Sequence, residues 1–351
     1  MISAMSGISV IPFQKLLDAL LDVDTPFHPR YLYRLSDLEP DELNELEKNW
    51  RQVPLWRRQA LLKDLEQLGR VNDLLSFEAI GRYAVQDEDP QVRNLAVRIL
   101  WEFEAKELAP LFLSIMETDS DTEVRASAAV ALGRFVYLGE IDQLPLEMRR
   151  EIEDRLIEMV ESEAPPTVRR SALQSVSYSG RPEVPGLIDK AFKSGEKKWM
   201  ETALLAMGRS SDERWESEVT EMLDSKFPSL RAEAARAAGE LEMKDAAQRL
   251  LELLDDSDDE VRRAAIWSLS QIGGEGVREG LEELLEKADE DEEASLLESA
   301  LDNLSFTEDF KLFSLFDFSN TDIETKFIDF ADEDEYYLEP DIADDDEEAQ
   351  D

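Results

Sequence analysis

The chain has 351 residues, 42% of them hydrophobic, with 82 acidic against 38 basic side chains and a formal net charge of -44. Such a field repels phosphate backbones and anionic lipid, so it argues against nucleic-acid and membrane partners and favours cations or basic proteins. The absence of cysteine excludes disulfides and thiolate metal sites, and the single histidine, His28, removes any metal site built on paired histidines.

Met1 to Pro12 has no basic lead and too short an apolar run for a signal peptide. No later stretch approaches the roughly 18 apolar residues that a membrane span needs. The expectation is a soluble, cytoplasmic protein without a cofactor. Phe13 to Leu21 reads as a helix, Pro26 and Pro29 interrupt it, and a second helix opens around Asp37–Leu43 and runs to about Trp50. His28 lies in that proline-bounded loop. Residues 1–50 lack the repeat that follows and are expected to cap it, covering the apolar face that a terminal repeat leaves exposed.

From residue 51 one nine-residue phrase recurs: apolar-Arg-x-x-Ala-x-x-x-apolar. It starts at Trp56, Val92, Val124, Val168, Leu230 and Val261, with weaker copies at Trp199 and Leu296, where Met200 and Leu297 replace the arginine. The starts are 36, 32, 44, 31, 31, 31 and 35 residues apart. A period near 31 is the mark of a helical solenoid.

The unit around Val124 shows the pattern. Leu108 to Met116 has helical apolar spacing, and Asp119 to Glu123 is a turn. Asp121 is placed to cap a second helix, as are Asp89 and Asp258, each three residues before its apolar anchor. Val124, Ala128 and Leu132 fall on one face of that helix, and Gly133 is expected near its end. The fifth-position alanine is present in every copy, as Ala60, Ala96, Ala128, Ala172, Ala203, Ala234, Ala265 and Ala300. A small residue in mid-helix lets neighbouring helices approach closely. The long interval between Val124 and Val168 holds Gly139 to Arg150, with Pro145 as a breaker, and predicts a longer loop or an extra helical turn.

Asp258, Val261, Arg262, Ala265 and Leu269, and likewise Asp121, Val124, Arg125, Ala128 and Leu132, resemble the HEAT repeat, most nearly the bacterial type called phycobilisome-lyase-like. The resemblance covers roughly Arg51 to Leu304. It implies an all-α, right-handed α-solenoid of about eight helical hairpins over residues 51–304, first helices convex and second helices concave. It says little about activity, because these repeats are widely reused.

The phrase arginines Arg57, Arg93, Arg125, Arg169, Arg231 and Arg262 form either a cationic ladder for an anionic ligand or structural braces bonding the turns of adjacent repeats. Their recurrence inside a packing phrase favours the braces. Six positions after the anchor a helix has turned about 240° away from its buried stripe. There and at neighbouring positions lie Arg170, Tyr178, Arg209, Arg236, Arg263 and Trp267, residue types that dominate protein interfaces and the candidate partner-binding set. Asp119–Glu123 and Asp255–Glu260 resemble the start of a calcium loop but lack its glycine and its terminal glutamate, and they read as helix caps. Gly273–Gly276 reads as a chain reversal.

Residues 305–351 carry 18 acidic and two basic side chains interleaved with nine aromatics. They read as an acidic tail, largely disordered or docked on the solenoid, with Phe306, Phe310, Phe313, Phe316 and Phe318 as anchors. The functional expectation is a non-catalytic adaptor or scaffold that binds a protein on the concave face. The alternative, suggested by the repeat type, is a bilin lyase or its accessory subunit. HEAT hydroxylases use His–Glu pairs, which one histidine cannot supply, and glycosylases of similar repeats need a cationic groove.

Overall fold

The computed structural model describes residues 11–288 and 291–318, excepting the side chains of 292 and 307–318. The chain divides into two units, Met1–Leu304 and Ser305–Asp351. Among the described residues every regular element is helical. Helix α1 (Phe13–Leu21), a 3-10 turn (Pro29–Leu35) and α2 (Pro40–Trp50) come first. Then follow α3 (Leu55–Val71), α4 (Glu78–Ala84), α5 (Pro90–Leu100), α6 (Leu108–Thr118), α7 (Thr122–Glu140), α8 (Leu146–Glu161) and α9 (Pro166–Val176). The series continues with α10 (Val184–Lys193), α11 (Lys197–Arg209), α12 (Glu216–Leu223), α13 (Pro228–Glu240), α14 (Ala247–Leu253), α15 (Asp259–Ile272), α16 (Val277–Lys287) and α17 (Asp291–Phe318).

The odd-numbered helices from α3 onward carry the repeated phrase, and from α3 to α15 each packs against the next, whereas the intervening helices barely meet one another. Consecutive hairpins are therefore closer on the phrase-bearing side, and the stack curves toward it. Ala96, Ala128, Ala172, Ala203, Ala234 and Ala265 are fully buried there, and Ala300 nearly so.

A second small-residue rule was not read from the sequence. Gly133 lies in the middle of α7 rather than at its end, because the extra residues up to Glu140 extend the helix. An added Cβ on Gly133 would sit 3.0 Å from Ser175 Oγ of the next phrase helix. Gly239 holds the same place on α13, where a Cβ would meet Ser268 Oγ and the Trp267 ring at 2.7 Å. The serines use that proximity: Ser175 Oγ donates to Ala129 O (2.7 Å) and Ser268 Oγ to Ala235 O (2.6 Å), stitching each helix to its predecessor. The long interval before Val168 is taken up as helix, giving α7 19 residues and α8 16.

The first copy of the phrase is displaced by one residue. Trp56 is 56% exposed and Ala60 is exposed, while Arg57, Arg58, Leu61 and Leu65 are buried. Arg57 holds the anchor place because its neighbour is the N-terminal cap, whose free carbonyls it binds: Nη2 donates to Thr25 O (3.0 Å) and Nη1 to Ala19 O. Arg58 then takes the arginine place. His28 caps the 3-10 turn, its Nδ1 accepting from Arg30 N at 3.2 Å.

Asp89, Asp121 and Asp258 all accept from the backbone N–H of their anchor residue, at 3.0, 3.1 and 3.3 Å. The aspartates two residues earlier brace the stack. Asp119 takes a two-pronged grip from Arg93 of the preceding hairpin (Nε 2.8 Å, Nη2 2.7 Å), and Asp256 takes the same from Arg231 (2.7 and 2.8 Å). Asp87 pairs with Arg58 and also accepts from Trp50 Nε1 (2.6 Å). Partial burial works against the charge on Asp119, but the Arg93 hydrogen bonds and the Asp121 amide outweigh it and hold the carboxyl low. At Asp256 the Arg231 hydrogen bond is the leading cause of the same lowering.

The last phrase helix runs on to Phe318. The expectation for 305–351 is a tail largely disordered or docked on the solenoid; the backbone of 305–318 is helical. The remainder of that expectation, and docking through Phe310, Phe313, Phe316 and Phe318, lie outside the described residues. No helix of the described residues is long and apolar enough to cross a membrane.

Two outcomes follow from this packing. Ala265→Arg puts a long cation into a fully buried interhelical contact and is expected to cost on the order of 3 kcal/mol, read from chemical denaturation. Asp256→Asn is expected to cost about 2 kcal/mol at pH 7 by leaving Arg231 without its carboxylate. A carboxyl lowered in the folded state stabilises fully above its unfolded value, near 3.8, and loses that contribution as pH falls through the folded value. The stability gap between parent and variant should therefore close in acid below pH 3.8 and stay constant above it.

Candidate functional site

The curvature sets the candidate site on the inner side of the phrase helices. Tyr137, Tyr178, Arg209, Arg236, Glu260, Arg263 and Trp267, contributed by α7 to α15 and the turns between them, are the aromatic and charged side chains of this site. Tyr137 is 43% exposed and meets Tyr178 edge-on, with ring centroids 6.0 Å apart. Arg209 of α11 lies over the Tyr178 ring at 5.0 Å and donates from Nη1 to Gln174 O at 3.0 Å. Tyr178 and Arg209, from successive hairpins, thus form one rigid unit.

Farther along, Glu260 gathers two arginines: Arg236 Nη2 at 2.8 Å and Arg263 Nη2 at 2.9 Å. Arg236 also reaches Glu233 at 2.8 Å. Arg263, then Arg236, hold the Glu260 carboxyl below its usual range. Glu233 and Glu240 go the other way. Desolvation between α13 and its neighbours pushes both carboxyls up, opposed by Arg236 at Glu233 and by Arg209 at Glu240. Trp267 is 39% exposed, its ring lying on Gly239. Glycine at that place leaves room for the indole beside the helix, since an added Cβ would lie 2.7 Å from Trp267 Cζ3.

Of the sequence-derived set, the structure joins Tyr178 with Arg209 and Arg236 with Arg263. Trp267 stands beside α13. Arg170 is apart, stacked on Trp199 at 6.0 Å near the start of α9. Carboxylates of the same chain pair with the inner-face arginines Arg236 and Arg263. Ala126 and Ala232, two residues after their anchors, are buried, so that position does not reach the inner face throughout. Phe306 is 69% exposed on α17.

Sequence reasoning missed Tyr137, Glu240 and Glu260, and a second feature nearer the N-terminus. A cleft of about 350 Å³ opens between α3 and α5 over Leu65, Phe77, Ile99 and Phe103. Buried Glu66 at its side pairs with Arg98 and Arg70, whose guanidinium groups each lie 5.7 Å from the Trp101 ring. The only signal for it was the spacing of Glu66 and Arg98 on successive repeats, which carries no weight until the register is known. Among the described residues, no cluster of three or more His, Asp and Glu is placed to hold a metal ion.

The family profile for HEAT repeats matches residues 78–146 and 216–302. Those two segments are HEAT repeats. No curated protein matches it. Among solved structures it is similar to YibA of E. coli, at 18% identity and TM-score 0.43 over 80% of this chain and 98% of that one. It is also similar to the complex of CpcE and CpcF of phycocyanin lyase from Nostoc sp. PCC7120, at 20% identity and TM-score 0.42 over 65% and 94%. Human deoxyhypusine hydroxylase in complex with glycerol is similar at 16% identity and TM-score 0.35, over 87% and 99%.

The pairing of the inner-face arginines has a measurable consequence. Glu260 is well exposed, so Glu260→Gln is expected to lower stability by less than about 1 kcal/mol. Thermal unfolding of parent and variant checks this, and a larger loss would mean that Glu260 braces the stack.

Proposed function

We propose that this HEAT-repeat protein is a non-catalytic adaptor that binds a protein partner along the inner face of its phrase helices. The observation that supports this is the row Tyr137, Tyr178–Arg209, Arg236–Glu260–Arg263 and Trp267, fixed by neighbouring repeats before any partner arrives. Rigid aromatics and pre-oriented arginines contribute most to affinity when little freedom is lost on binding. Because its cations are already paired, the partner surface complementary to this face is one of mixed charge with apolar or aromatic side chains meeting Tyr137 and Trp267. A purely acidic ligand would have to displace Glu233 and Glu260.

The double variant Arg236→Ala, Trp267→Ala in the full-length chain tests the reading. It is expected to weaken capture of a co-purifying protein by about tenfold or more, since hot-spot truncations each remove on the order of 2 kcal/mol, with helical content by circular dichroism unchanged. Undiminished capture would move the interface off this face. A bilin added to the purified chain serves as the second arm: a saturable shift in its absorption would favour the chromophore-lyase alternative.

A further inference from the structure

Along the turn edge of the stack, three arginines that follow an anchor reach toward one position of the next hairpin, five residues before that hairpin's own anchor. Asp87, Asp119 and Asp256 occupy this position and take Arg58, Arg93 and Arg231. Between α9 and α11 the series breaks. Arg169 holds the arginine place after Val168, but the position it faces, five before Trp199, is Ser194. Its Nε donates to Val160 O at 2.9 Å, its guanidinium stacks on Trp199 at 5.3 Å, and no carboxylate pairs with it among the described residues. Arg125, one hairpin earlier, also lacks an ion pair, but its Nη2 lies against Met159 Sδ and an acid, Glu163, stands at the facing position.

Arg169 lines a cleft. Val160, Leu187, Ala191 and Trp199 give it apolar walls, Lys190 stands on its rim, and its volume is about 150 Å³. That is the size of cavity that accepts one benzene-sized group. Lys190 has no ion pair among the described residues, while exposed Glu161 and Glu196 reach the rim without pairing with Arg169. The surroundings reverse the charge of the molecule: residues 166–200 hold seven basic and three acidic side chains, a net of +4 in a chain of -44. Beside the cleft, Lys197 and Lys226 lie 5.5 and 4.9 Å from the Phe227 ring, which is 41% exposed. The aspartate caps of the other hairpins are also missing here. Pro165, Glu196 and Phe227 precede α9, α11 and α13, and none caps its helix with a side chain.

We infer that this edge is a docking site for an acidic protein segment. A glutamate or aspartate of the partner pairs with the Nη groups of Arg169, whose Nε is already given to Val160 O, and an adjacent apolar side chain fills the cleft against Trp199. The site is separate from the inner face and does not rest on that reading. Arginine forks onto carboxylates with two parallel bonds, so the partner's carboxylate is recognised by geometry as well as charge. The surrounding field draws acidic segments to this edge and repels them elsewhere.

The test is a fluorescence-anisotropy titration of the full-length chain with a labelled peptide of glutamates around a single leucine, and with its glutamine counterpart. The parent is expected to bind the glutamate peptide and not the glutamine one. Ser194→Asp supplies the missing carboxylate from within. It is expected to weaken the peptide about tenfold or more while raising the thermal midpoint. Arg169→Gln should weaken the peptide comparably, with circular dichroism confirming that both variants are folded. Absence of binding by the parent at millimolar peptide, equal binding of the two peptides, or unchanged affinity in Ser194→Asp would each overturn the assignment. The same titration on the Arg236→Ala, Trp267→Ala chain separates the two surfaces: undiminished binding supports a site at the edge, and loss of binding would place the acidic segment on the inner face instead.

Discussion

The close approach of consecutive phrase helices is the constraint on which the other features depend. A helical hairpin of this length cannot bury its own apolar faces, so each must lean on the next. Alanines at the fifth position, glycine or serine further along, and serine hydroxyls donating to the previous helix let the backbones come near. The intervening helices carry bulkier contacts and stay apart. That difference in spacing curves the stack, and the curvature gathers Tyr137, Tyr178, Arg209 and Trp267 on one side.

Electrostatics adds a second layer of order. In a chain so acidic, an arginine seldom lacks a nearby carboxylate, and most of those described are committed internally. Along the turn edge the commitment is regular, one hairpin bracing the next through a bidentate pair with little solvent around it. On the inner face it is looser, because Glu260 and its two arginines stand in water, where such pairs contribute little to stability. The same residue type therefore braces the fold at one edge and presents a preformed polar surface on the other. The positive stretch of residues 166–200 stands out because Ser194 stands there in the place of a bracing aspartate.

Sequence periodicity carried far here because it has a direct physical cause. The limits of Phe13–Leu21 and Pro40–Trp50 and the capping roles of Asp89, Asp121 and Asp258 depend on interactions within a few residues, and local spacing encodes them. The reading failed where a neighbour decides. Trp56 fits the anchor pattern but faces solvent, because Arg57 has carbonyls of the N-terminal cap to bind. Gly133 suggested a helix end, but it is a contact point for Ser175. The segment after Leu304 has weak apolar periodicity, yet its backbone continues helical to Phe318.

The sequence by itself determined the all-α repeat, the alanine packing stripe and the helix caps, since each depends on spacing along one chain segment. Only the tertiary structure decided which arginines brace the hairpins and which stand on the inner face. An arginine's role is set by the carboxylate within reach, and those carboxylates come from hairpins about 25 residues away, as Asp256 does for Arg231. The contrast between Arg93 held by Asp119 and Arg169 facing Ser194 is written in the sequence, but it acquires meaning only when stacking brings those positions together.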